Sequence, residues 1–447
     1  MSAPALLWFR RDLRIADHHA LTAAAAAGRV VPLFVLDDDT PGEFRIGGAQ
    51  RWWLHHSLAA LNESIGGKLV LRRGRAADVV RAVAQEIGAA EVHATALYEP
   101  WERETEAALA DLVTFHDGDT LVPPDRVTTQ GGSPFKVYGA FWRALTEQLP
   151  PEQALPAPDV QFVAGPGGDK LANWNLLPTK PDWATGFGKE WTPGEAGALE
   201  RLDEFVTEVA AYERRRDRPS EEGTSRLSPH LHWGEVSPRQ VWDALHPRGG
   251  SKFLKELAWR DFARSAMLAQ PDIGWSNGRA AMDRLPWRTG ADAEADFAAW
   301  TKGRTGYPIV DAGMRQLWAT GWMHNRGRMI AASFLTKHLL IDWRRGAAWF
   351  WDTLIDADYG NNSLNWQWIA GTGTASQMFN RIMAPLAQSE KFDAGDYIRE
   401  WVPELAGLDD DMIHDPADDR RGAYPPRLIG HREARDRALS ALAKVRG

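Results

Sequence analysis

Thirteen consecutive residues, Asp356 to Trp368, carry two aspartates, three asparagines and two tryptophans in a chain otherwise rich in alanine and leucine. Carboxylates and amides set beside indoles suit a flat ligand with a hydrogen-bonding edge. A polar loop leading into a helix anchored by Trp366 and Trp368 would use the same residues, and this stretch alone leaves both readings open. Elsewhere, Glu256, Trp259 and Arg260 stand at i, i+3 and i+4 and share one helical face. A surface ion pair accounts for the Glu and the Arg, but not for the Trp between them. Asn325 and Met329 likewise share a face, with Arg326 and Arg328 beside them.

In the run from Gly223 to Pro229, Ser228 before Pro229 reads as an N-cap followed by Pro at the first helical position, and Ser237-Pro238 repeats the signal. Thr224, Ser225 and Arg226 just ahead bring hydroxyls, backbone N–H groups and a guanidinium to a helix start, where phosphate binds; a capped helix without a ligand would read the same. Arg214, Arg215, Arg216, Lys252 and Lys255 add positive charge that either tracks phosphates or forms a solvated face.

These residues need elements to hold them. The strand-like runs Ala5–Arg10, Val30–Leu36, Lys68–Arg73, Glu91–Tyr98 and Val113–Val122 alternate with helical segments, which indicates a parallel sheet covered on both faces over residues 1–125. The first strand-to-helix connection, Phe9 to Leu21, contains no glycine, so dinucleotide binding through a G-x-G-x-x-G turn is not expected. Residues 126–200 are rich in Pro and Gly and read as a connector wrapped on the surface. Residues 201–447 have helical periodicity nearly throughout, including the runs 199–216, 251–268, 309–322 and 328–343.

The 447 residues are 44% hydrophobic and 25% charged, the composition of a globular protein with room for several cores. No apolar run is long enough to span a membrane and the first residues lack a secretory pattern, so a cytoplasmic location is expected. Cysteine is absent, which removes disulfides, thiolate catalysis and Cys-ligated metal clusters. Redox chemistry must then come from an organic cofactor or from aromatic side chains, and the 22 tryptophans against 7 tyrosines are the one compositional anomaly. A net charge of -8 argues against an all-over basic nucleic-acid binder while permitting a local basic patch.

The segments Leu6–Leu21, Glu222–Pro229, Glu256–Phe262, Gly303–Leu317, Gly321–Arg344, Asn365–Trp368 and Glu390–Asp393 resemble, in order, those of the photolyase and cryptochrome family. The stretches Leu171–Trp183 and Trp191–Leu199 further resemble the bacterial class III cyclobutane pyrimidine dimer photolyases. The resemblance implies a Rossmann-like α/β antenna domain, a connector, and an all-α domain that binds FAD and DNA. It implies light-driven electron donation from reduced flavin into a pyrimidine dimer in UV-damaged DNA, by a monomer without a metal centre. By the same resemblance, Tyr212, Thr224, Ser225, Arg226, Leu227 and Ser228 hold the FAD phosphates and neighbouring parts. Arg260, Asp356, Asp358 and Asn362 surround the flavin ring, with Asn362 at its N5. Trp259 and Trp368 receive the flipped dimer, Glu256 bonds its pyrimidine edge, Asn325 and Met329 line the pocket, and Arg216 and Arg326 meet the flanking phosphates. Trp300, Trp343 and Trp366 match the family's electron relay from the surface to the flavin.

Asn325 stands where the (6-4) photolyases that resemble this family carry a second histidine, which favours dimer repair. Met383 and Ala384 replace the Phe and Asn common after the Trp-x-Trp, and Asp261 replaces a usual Glu. Glu102 matches a folate-contacting glutamate of some relatives, whereas Trp101 stands where those have Asn. The expected antenna is methenyltetrahydrofolate, with a deazaflavin or an empty site as alternatives. A blue-light receptor using the same flavin is the competing function.

Overall fold

The computed structural model describes residues 3–374, 379 and 381–446. Five strands, β1 (Ala5–Phe9), β2 (Arg29–Leu36), β3 (Val70–Arg73), β4 (Val92–Thr95) and β5 (Thr114–His116), form a parallel sheet in the order β3-β2-β1-β4-β5. β1 is apolar end to end and β2 is apolar after Arg29, because the centre of the sheet is covered on both faces, whereas β3 ends in Arg72 and Arg73 and β5 reads Thr-Phe-His at the edge. Within β1, Ala5, Leu7 and Phe9 enter one core and Leu6 and Trp8 enter the other, as the two-residue repeat of a strand requires.

Most of residues 126–200 are partly or fully exposed, but the segment is also paired and anchored at several points. A sixth strand, β6 (Gln161–Phe162), runs parallel to the first residues of β2, while β3 pairs with the last four residues of β2. Phe141, Leu145, Trp174, Leu176, Phe187 and Trp191 are buried, and the helix Glu195–Glu208 begins inside this segment. Proline and glycine density marked irregular backbone correctly, but it hid the aromatic anchors that hold the segment down.

From Glu195 onward every regular element among the described residues is helical. The long apolar run 328–343 is not one helix. Asn325–Ser333 widens into a π turn at Phe334–His338, Leu340 adopts φ 53°, and Asp342 caps a new helix, Trp343–Thr353, through the Arg344 N–H. Ser237 caps its helix with Gln240 in a capping box as its sequence indicates, whereas Ser228 lies inside its helix and Leu227 occupies the cap without a side-chain bond.

The two halves are bonded together at the site. Trp53 Nε1 donates to Glu235 Oε1 at 3.0 Å, Arg14 Nη1 donates to the Gly234 carbonyl at 2.9 Å, and Gln50 Nε2 donates to the Ala357 carbonyl at 2.6 Å. Gly234 has φ +66°, and a Cβ there would overlap the Arg11 carbonyl, so only glycine permits this approach.

Candidate active site

The opening stretch lies at the start of the helix Tyr359–Ala370. Asp358 is its N-cap: its Oδ1 accepts from the Asn361 N–H at 2.8 Å and from Asn361 Nδ2 at 2.9 Å. Its other oxygen accepts from Arg264 Nη1 at 2.7 Å. Burial alone would raise this carboxyl, and the guanidinium groups of Arg264 and Arg11 reverse it, holding it far below the carboxylate range. Asp356 takes a two-pronged pair from Arg328, at 3.1 and 2.8 Å. Asn362, half-buried, donates to the Ala347 carbonyl at 3.1 Å.

Arg260 is engaged away from these carboxylates. Its guanidinium donates to Asp119 Oδ1 and to the Leu231 carbonyl, both at 3.0 Å. The arginines touching the two aspartates are Arg264 and Arg328, and Arg264 also holds Asp119 at 2.6 Å. Arg264 extends the face of Glu256 and Arg260 by one more turn, so its signal was present in the spacing. Gln50, His232 and Arg201 are further participants from outside the motifs. Burial pushes His232 down to about 3, so it faces Asp358 as a neutral ring.

The phosphate candidates converge on one turn. Arg201 donates to the Ser225 carbonyl at 2.8 Å and to the Thr224 carbonyl at 3.3 Å. Arg226 has φ 52°, lies 4.4 Å over the ring of Trp191, and pairs with Glu190 at 2.9 Å. Leu227 is buried, and Ser228 Oγ accepts from Trp322 Nε1 at 3.2 Å.

A half-exposed network forms the mouth. Glu256 pairs with Arg216 and accepts from the Tyr212 hydroxyl. Arg216 meets Asp217 at 3.3 Å, Asp217 pairs with Arg326 at 2.8 Å, Arg326 Nη1 reaches the Met329 sulfur at 3.5 Å, and Asn325 lies 4.0 Å from the same sulfur. Tyr212 is therefore bonded to the mouth rather than to the phosphate turn. Trp259 and Trp368 are both half-buried, on helices that pack against each other. His324, beside Asn325, is pushed down to about 4 by burial and caps its helix as a neutral ring through the Arg326 N–H.

Trp300, read as a relay tryptophan, is fully buried, donates to the Ala331 carbonyl at 3.0 Å and stacks between Phe297 and Phe350. A relay's outer member must meet solvent, and none of Trp300, Trp343 and Trp366 does. The matches were made on sequence position, which does not report exposure. Trp366 is buried 6.3 Å from Trp300, and Trp343 is buried with Nε1 donating to Asn277 at 2.9 Å. Gly346 lets the helix of Trp343 approach, since a Cβ there would overlap the Trp366 ring. Trp287, partly exposed, packs against the core that contains all three.

In the α/β half, a cleft of about 820 Å³, measured out to its open mouth, lies at the carboxyl ends of β1 and β2. Trp101, Glu102, Phe44, Trp351 and Gln50 are among its walls. Glu102 accepts from Arg10 at 2.5 Å, and Phe44 stacks on Trp101 at 5.7 Å.

Two family models match this chain: DNA photolyase over residues 5–159 and the FAD-binding domain of DNA photolyase over 253–444. A deoxyribodipyrimidine photo-lyase of Agrobacterium fabrum is 45% identical, with all of this chain and 98% of the relative covered. The chain belongs to the DNA photolyase family. Within the family, Cryptochrome-1 of Arabidopsis thaliana is 35% identical over 98% of this chain and 70% of its own length. The crystal structure of a bacterial class III photolyase from Agrobacterium tumefaciens superposes with a TM-score of 0.93 at 44% identity, covering 100% of this chain and 98% of that one. The α/β and all-α organisation is that of a photolyase, and the helical half is an FAD-binding domain.

Proposed function

We propose that Glu256, Trp259, Asn325, Met329 and Trp368 form the pocket in which this light-dependent DNA-repair lyase, an FAD enzyme, splits cyclobutane pyrimidine dimers. The supporting observation is the unbroken series of contacts at the mouth, from Glu256 through Arg216, Asp217 and Arg326 to Met329 and Asn325. It sets a hydrogen-bonding carboxylate and amide beside two arginines at a half-exposed rim, next to the indole of Trp259. An extruded dimer needs a polar edge, aromatic faces and phosphate contacts, and this rim supplies all three.

The helical residues fit FAD by the chemistry of their groups. Thr224, Ser225 and Ser228 offer hydroxyls beside Arg226, whose buried Nε has no hydrogen-bond partner, which suits a pyrophosphate. Asp356, Asp358 and Asn362 offer carboxylates and an amide to a flat ring edge, with Arg264 and Arg328 holding the two carboxylates in place. Reduced FAD, when bound, supplies a light-excited electron to the dimer and takes it back. Around it, Trp259 and Trp368 hold the extruded pyrimidines, Glu256 bonds their edge, and Arg216 and Arg326 hold the flanking phosphates.

Trp366 and Trp343 serve photoreduction, with Trp287 rather than Trp300 as the member that reaches solvent. The cleft with Trp101 and Glu102 takes the antenna, and its aromatic walls suit methenyltetrahydrofolate. The protein acts as a monomer in the cytoplasm. Among the described residues no helix is long and apolar enough to cross a membrane, and no cluster of three or more His, Asp or Glu residues could hold a metal ion.

The test is repair of an oligonucleotide carrying one thymine dimer by chemically reduced protein under blue light, with a dark control and a parallel (6-4) substrate. Light-dependent repair of the dimer alone is expected. No repair of either lesion by protein holding reduced FAD would move the reading to a receptor.

A further inference from the structure

Trp259 is not free on both faces. Tyr138, from the segment between the two halves, stacks on it with ring centroids 3.8 Å apart and planes within 8°. Phe262 meets the indole edge-on at 5.4 Å. Tyr138 is itself fixed at several points. Its hydroxyl donates to the Lys255 carbonyl, one helical turn before Trp259, and its ring packs on Phe141, Phe262 and Trp142. Phe141 and Phe262 are buried in the core that also holds Leu254, Leu257 and Ala258, so the stack is anchored from behind.

We infer that Tyr138 is a positioning residue for dimer recognition: it backs the indole of Trp259, leaves one face open, and fixes the plane against which an extruded pyrimidine stacks. This rests on the reading of Trp259 as a wall of the lesion pocket. An indole on a half-exposed helix face would otherwise sample several side-chain rotamers, and binding a base would have to select one. A ring stacked behind it, and pinned by a hydrogen bond to the same helix, removes that freedom before DNA arrives. Tyr138 also blocks the rear face, so a base stacks from one side only.

The experiment is a double-mutant cycle on FAD-loaded, chemically reduced holoenzyme, using Tyr138→Ala, Trp259→Ala and the double variant, with Tyr138→Phe as the conservative control. Binding to a thymine-dimer oligonucleotide and to its undamaged counterpart is measured alongside repair at saturating DNA. Tyr138→Ala is expected to weaken lesion binding about tenfold, within the range of one lost base–aromatic stack, with the loss in affinity rather than in repair at saturation. Undamaged DNA should bind as before. Tyr138→Phe, which keeps the ring, should restore affinity to within about twofold, and Tyr138→Ala should add little once Trp259 is already alanine.

The inference is overturned if Tyr138→Ala binds the lesion like the wild type while Trp259→Ala does not, or if the two losses simply add. Should Trp259→Ala itself leave lesion binding unchanged, the pocket reading fails first and takes this inference with it. Bound FAD per protein, read from the flavin absorbance, shows that each variant is folded, and a Tyr138→Ala protein that lost its flavin would assign the residue to the fold instead.

Discussion

Two sets of ion pairs border the proposed flavin site, and they are built differently. At the floor, Arg264 is sealed between Asp119 and Asp358, with side-chain exposures of 1%, 6% and 7%. At the mouth, Arg216, Glu256, Asp217 and Arg326 are 16–35% exposed. A sealed pair cannot exchange partners without stranding a charge in a poor solvent, so it fixes geometry. A rim pair gives up little when a phosphate or a base edge replaces one member, so it can serve a ligand. The same residue types thus act as scaffold in one place and as contact surface in the other.

The sharpest way to break this contrast is Arg264→Ala. Buried Asp358 would lose the arginine bonded to it and Asp119 would keep only Arg260, and a loss of about 3–5 kcal/mol in unfolding free energy is expected, read by chemical denaturation. A stability within about 1 kcal/mol of the wild type would remove the distinction.

Asp261 is a buried acid of the floor that, among the described residues, accepts hydrogen bonds from the Leu121 and Val122 N–H groups alone, and burial pushes it up to about 7. Its folded value lies above the unfolded one, so the folded state retains a proton that the unfolded chain has released. Wild-type stability should therefore fall as pH rises from about 4 to about 7 and level off above. Asp261→Asn removes that fall, and its melting temperature should exceed the wild type's by more at pH 8 than at pH 5. A gap that does not change with pH would show that Asp261 is ionised in the fold.

The buried tryptophans give a third comparison. Trp366→Phe is expected to slow light-driven reduction of bound oxidised flavin at least tenfold, whereas Trp300→Phe should leave it within about threefold, followed as bleaching of the flavin absorbance. Equal losses would restore Trp300 to the relay. The smallest effect belongs to the rim: Glu256→Gln should cost about 1 kcal/mol or less in unfolding free energy, because Glu256 and its partner Arg216 are both partly exposed. A loss as large as that of Arg264→Ala would make the mouth as structural as the floor.

How far the chain could be read in advance follows the same division. The central strands were legible because a sheet covered on both faces demands apolar runs there, and four of the five sequence runs contain their strands while the fifth misses only Arg29 of β2. Asp356, Asp358 and Asn362 drew notice because polar groups are rarely so dense beside indoles. Arg264 was overlooked although it continues a helical face already singled out, and Gln50 could not be found because it reaches Ala357 from the other half of the chain. The burial of Trp300 could not be foreseen, because spacing carries no information on exposure. Tyr138 sits in a stretch dismissed for its prolines and glycines, and only the tertiary fold brings it to Trp259. The significance of Met383 and Ala384 is likewise not local: Met383 is buried against the core of Trp343 and Trp366, while Asn380 just before them lies outside the described residues.

The shared edge of β2 has a consequence for how the molecule is made. Because β6 supplies its pairing from residues 161–162, a ribosome must have passed the whole of residues 1–125 and a further stretch of irregular chain before the sheet can close. Until then the first residues of β2 present unpaired N–H and C=O groups, a template for a neighbouring nascent chain. A fragment ending near residue 125 should accordingly aggregate, and one carried past Val163 should remain in solution.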